Sequence, residues 1–131
     1  MARNGADLTL TFRRLSDAAV STDGDAAVRS LFADPTAYDD WAASWRRRLA
    51  DDGEATGERR AAAMRAANPA FVPRNHLVEE ALSAAVNNGD LSAFETLLTV
   101  LSHPYDDQPP HRRYAEPPRP DQIVRQTFCG T

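Results

Sequence analysis

Four groups of side chains in this 131-residue sequence have types and spacings that could do chemistry. His103 and His111 flank Asp106 and Asp107, so imidazole nitrogens and carboxylate oxygens lie close together, a donor set that could hold a metal ion. Arginines cluster at 46–48, 59–60 and 112–113, and guanidinium groups grip phosphates. Arg74-Asn75-His76 falls at the expected first turn of a helix. Free backbone amides and the positive dipole end there favour a phosphate or carboxylate. Cys129 is the sole thiol, and an accessible thiol can take part in exchange.

Each group also has a plainer explanation. The His–Asp set lies in proline-rich sequence and lacks the one-face spacing of H-E-x-x-H, so it reads as a polar loop, with no metal expected. The arginines have Asp39, Asp40, Asp51, Asp52 and Glu58 close by in sequence, which predicts solvated helix faces with intrahelical ion pairs. Arg74 is expected to pair with an acid on a neighbouring element, while Asn75 and His76 satisfy local backbone groups. One cysteine allows no internal disulfide and no multi-cysteine metal site, and it suits a reducing compartment. No Walker or G-x-G-x-x-G loop, H-R-D or D-F-G signature, or G-x-S-x-G elbow is present. No catalytic, cofactor-binding or metal-ligating residue is therefore assigned, and Cys129 alone is kept, as a candidate redox or regulatory group.

Bulk properties narrow the class further. Net charge is −4 and all fifteen basic residues are arginine; the isoelectric point is about 5.3. That balance argues against non-specific nucleic-acid binding, which needs a basic face. Apolar residues make up 42%, enough for a globular core. No run reaches the roughly 20 apolar residues of a membrane helix, and the first residues contain no apolar leader core. No membrane partner is expected, and the location expected is a bacterial cytoplasm.

The elements that must position these groups are helices. Leu8, Phe12, Leu15 and Ala19 form one stripe after Asp7, a plausible N-cap. A short helix is expected over 25–33, with Val28, Leu31 and Phe32 inward. Asp34-Pro35 opens a third, on which Tyr38, Trp41, Trp45 and Leu49 share a face. A fourth, alanine-rich helix spans 57–67 with Met64 as its largest apolar residue, and Asn68-Pro69 ends it. Pro73 is expected to start a fifth helix with Leu77, Ala81, Leu82 and Ala85 inward, stopped at Asn87-Asn88-Gly89. Asp90 caps a sixth, striped by Leu91, Phe94, Leu97, Leu98 and Leu101, and antiparallel to the fifth. Six of the nine prolines follow. The expected fold is all-α: about six short helices in an irregular bundle over 1–103, then a proline-rich extended C-terminal arm over 104–131.

Three phrases together resemble one family. They are LTLTFRRLSDA at 8–18, MRAANPAFVPRNHLVEEAL at 64–82, and HPYDDQPPHRRYAEPP at 103–118 followed by QTFCGT at 126–131. All resemble the C-terminal part of SelO, the protein adenylyltransferase family also called YdiU. The resemblance implies a much longer parent with a kinase-like body. That body binds ATP and Mg2+ and transfers AMP to Ser, Thr or Tyr hydroxyls of proteins. The family's ATP-binding lysine, metal-binding acids and catalytic base lie in upstream motifs without counterparts here; this chain has no lysine at all. Cys129 matches the near-terminal cysteine of the family, which is implicated in redox regulation through a cysteine in the body. The chain is thus expected to be a C-terminal fragment, inactive alone and structural or regulatory, with the kinase-like body as partner. The alternative is a stand-alone helical protein-interaction module.

Overall fold

The computed structural model describes residues 1–53 and 56–126. Cys129 lies outside them. The described residues form six α-helices and several 3-10 turns, with no strand among them. The helices are α1 (Leu8–Ala18), α2 (Asp25–Arg29), α3 (Pro35–Asp51), α4 (Gly57–Ala67), α5 (Asn75–Asn88) and α6 (Ser92–Ser102). The all-α expectation holds. The chain divides into two compact units, Met1–Ala70 and Phe71–Thr131.

In the first unit the chain enters α1 through Asp7, whose carboxylate accepts from the Leu10 amide at 2.8 Å. The same device opens α3, where Asp34 accepts from the Thr36 amide at 3.0 Å ahead of Pro35. Leu15, Ala18, Val28, Tyr38 and Ala42 form the core, with Phe32, Trp45 and Met64 against it. The buried line of α1 is Thr11, Leu15 and Ala18, whereas Leu8 and Phe12 of the expected stripe are exposed. Thr11 can be buried because its hydroxyl donates to the Asp7 carbonyl at 2.6 Å, and Ser16 likewise donates to the Phe12 carbonyl. Gly24 meets α1 so closely that a Cβ there would lie 2.6 Å from the Ala18 nitrogen. The tryptophans do share a face of α3 and stack at 5.3 Å, but Trp41 is exposed and Ala42 takes the core position.

The second unit is built on α5 and α6. Gly89, at φ +64°, ends α5 in the left-handed conformation that favours glycine. Asp90 accepts from the Ser92 amide at 2.9 Å and so opens α6. Helix α5 begins at Asn75 rather than Pro73, because residues through Arg74 keep extended backbone after the second proline. Leu77, Ala81, Leu97 and Val100 are buried, as is Phe71, whose amide donates to the Pro104 carbonyl at 3.1 Å. Gln108 donates to the Val100 and His103 carbonyls, closing the C-terminal end of α6. Beyond it the proline-rich segment is not simply extended. It winds into 3-10 turns at Pro109–Ala115 and Pro120–Gln122, since proline's fixed φ suits the first residue of such a turn.

Candidate functional site

The stretch that opens α5 is the most elaborate polar site of the second unit. Arg74 is the N-cap residue of α5 and is buried. Its Nη2 donates at 2.7 Å to the carbonyl of Ala115, in the proline-rich segment. One group that Arg74 holds is therefore main chain in the later segment. Six residues on from Arg74, Glu80 receives both arms of a contact from Arg113 Nη2, at 2.6 and 2.7 Å. The two arginines thus tie the segment to α5 from opposite directions, Arg74 reaching out from the helix and Arg113 reaching in.

His76 lies between these ties. A cavity of about 420 Å³ is lined by His76, Glu80, Arg113, Glu116, Arg119 and Gln122, among others. The imidazole Nδ1 is enclosed and has no hydrogen-bond partner, which corrects the expectation that His76 satisfies a local backbone group. Burial, and next the Arg74 charge, hold its pKa below the ordinary imidazole value. The neutral ring is the form this pocket accepts.

In the first unit, Tyr38 and Arg46 converge on one carboxylate. The Tyr38 hydroxyl and Arg46 Nη2 each donate to Asp25 Oδ1 at 2.6 Å. Burial, then the Asp25 bond, push the Tyr38 pKa up, so the phenol stays a donor. A neighbouring cavity of about 230 Å³ is walled by Phe32, Tyr38 and Trp41 together with Thr11 and Leu15.

The arginine clusters keep the expected solvated faces, but their ties run between elements rather than within a helix. Arg46 crosses from α3 to Asp25 of α2 and lies over the Trp45 ring. Arg60 donates to the Leu49 carbonyl at 2.9 Å. Arg29 pairs with Asp39 at 3.0 Å, and Arg65 pairs with Asp17. These are ties between elements, not intrahelical pairs, because short helices place acids and arginines of different elements face to face. Arg47, Arg48, Arg59 and Arg112 are exposed, Arg47 donating to Ser44 Oγ at 3.0 Å. His103 turns its Nδ1 to Ser102 Oγ at 2.9 Å, and His111 packs edge-on to Tyr114. Among the described residues no three His, Cys, Asp or Glu side chains are grouped so as to hold a metal ion, and no helix is long and apolar enough to cross a membrane.

These features define an all-α scaffold in which several arginines clamp one element to another. A family model described as "Protein adenylyltransferase SelO" matches residues 1–102, and the chain belongs to that family. It is 61% identical over its full 131 residues to the protein nucleotidyltransferase YdiU of Bradyrhizobium sp. strain BTAi1, covering 26% of that protein. It is 59% identical to a YdiU of Methylorubrum extorquens over 27% of that chain, and 54% identical to that of Rhodopseudomonas palustris strain BisB5 over 26%. The chain therefore spans about a quarter of the length of the curated relatives it matches.

Proposed function

We propose that this chain is the helical C-terminal portion of a SelO-type protein adenylyltransferase, that it packs against the family's catalytic body in a structural or regulatory role, and that it does not transfer AMP alone. The observation that carries the reading is the end-to-end match of all 131 residues to one quarter of proteins named nucleotidyltransferases. The chemistry of the described side chains agrees with it. Two of the arginines that could take phosphates, Arg46 and Arg113, are engaged by Asp25 and Glu80. In this reading ATP, Mg2+ and the acceptor protein are bound by the other three-quarters of a family protein. The test is incubation of the purified chain with α-labelled ATP, Mg2+ and acceptor proteins. No label transfer is expected; robust transfer would refute the reading.

A further inference from the structure

The apolar residues of α5 and α6 are only half used. Leu77 and Ala81 on α5, and Leu97 and Val100 on α6, are buried. Leu82, Val86, Leu91, Phe94 and Leu98 are exposed, Val86 to 81% and Leu98 to 61%. At about 100° per residue, Leu82 and Val86 lie roughly 120–160° around α5 from its buried pair. By the same spacing Phe94, Leu98 and Leu91 lie roughly 90–150° around α6 from its buried pair, in the same rotational sense. Only Gly89, Asp90 and Leu91 connect the helices, so α6 folds back along α5. In two antiparallel helices, equal rotation in the same sense brings both stripes to one side of the pair. The result is one apolar face, bordered by the exposed carboxylates Glu79 on α5 and Glu95 on α6. Single exposed apolar residues are ordinary; a contiguous, polar-rimmed group marks an interface.

The geometry points to this face as the surface on which the other three-quarters of a SelO-family polypeptide docks. This inference rests on the function proposed above and adds where the contact is made. The Bradyrhizobium relative matches the chain along its whole length, yet the match fills only 26% of that protein. There the same two helices are joined to nearly three times as much chain. The occupant the face fits is an apolar protein surface with basic residues at its edge, opposite Glu79 and Glu95.

The test places Leu98→Glu, alone and with Val86→Glu, in two contexts. One is the isolated chain. The other is the Bradyrhizobium sp. strain BTAi1 relative with this chain grafted in place of its matching quarter. In the isolated chain the substitutions are expected to lower binding of a hydrophobic dye severalfold and leave the melting midpoint in place. In the graft they are expected to lower the melting midpoint and raise dye binding. Equal, negligible effects in both contexts would overturn the inference, as would destabilisation of the isolated chain itself. So would an isolated chain that sediments as a dimer and dissociates on Leu98→Glu, since a second copy would then be the occupant. AMP transfer by the isolated chain would refute the proposed function while leaving this difference between contexts intact, so the two failures are distinguishable.

Discussion

Tyr38 offers the sharpest test of how the first unit is held together. Its ring is 1% exposed, and its hydroxyl shares Asp25 Oδ1 with Arg46. Tyr38→Phe keeps the ring and removes one donor. A hydrogen bond to a charged acceptor contributes about 1.5–3 kcal/mol. Here Asp25 keeps Arg46, and its side chain is 25% exposed, so water can replace the lost donor. The expected cost is therefore at or just below the low end, about 1–1.5 kcal/mol. Asp25→Ala is a harsher change. It leaves the enclosed phenol without an acceptor, at about 1–3 kcal/mol, and unpairs Arg46, at about 0.2–1 kcal/mol for a partly exposed pair. Thermal unfolding followed by the Trp41 and Trp45 fluorescence reads both. At roughly 4–8 °C per kcal/mol for a unit of this size, Tyr38→Phe should lower the midpoint by several degrees and Asp25→Ala by more. The double variant should cost less than the sum of the two, because the Tyr38–Asp25 bond can be lost only once. Full additivity, or a neutral Tyr38→Phe, would refute the shared-carboxylate arrangement.

Gly24→Ala should destabilise the first unit by about 1–3 kcal/mol, because the added methyl runs into the α1 backbone at Ala18 rather than a movable side chain; urea unfolding checks this, and a neutral variant would show that the close approach is not kept. His76 makes the second unit acid-sensitive. Its native pKa is depressed below the ordinary 6.5, so the unfolded chain takes up a proton first, and stability present above about pH 6.5 is lost as pH falls toward the native value. Facing groups are Arg74, Glu80, Arg113 and Arg119. Limited proteolysis of the proline-rich segment between pH 7 and 5 should accelerate in the parent chain and not in His76→Gln; identical profiles would remove His76 as the cause.

Much of the fold is legible in the sequence because its signals are local. Asp7, Asp34 and Gly89 act through the nearest turn of backbone, so their roles can be read from their neighbours. What sequence reasoning misses depends on contacts far apart in the chain. Leu82, Leu91, Phe94 and Leu98 have the helical spacing of inward residues, but periodicity records which face is apolar, not what covers it. Val100 falls outside the expected stripe, although it stands three residues after Leu97 on the same side, and it is fully buried. The arginine partners differ for a related reason. Spacing suggests acids on the same helix, whereas Asp25 and Glu80 reach Arg46 and Arg113 from other elements. At the candidate site, the type and position of Arg74 are visible in the phrase NPAFVPRNHL, but its contact with the Ala115 carbonyl carries no side-chain signal at all. The enclosed Nδ1 of His76 likewise depends on how the later segment folds over α5.

The claim that this chain supports a SelO-type transferase, without performing the transfer, is tested most directly by label incorporation from α-labelled ATP. The measurement compares the isolated chain, the Bradyrhizobium relative without its matching quarter, and that relative carrying this chain as a graft. Transfer is expected from the graft, with none from the isolated chain and less from the truncated relative than from the graft. Transfer by the isolated chain, or a folded graft no more active than the truncated relative, would contradict it.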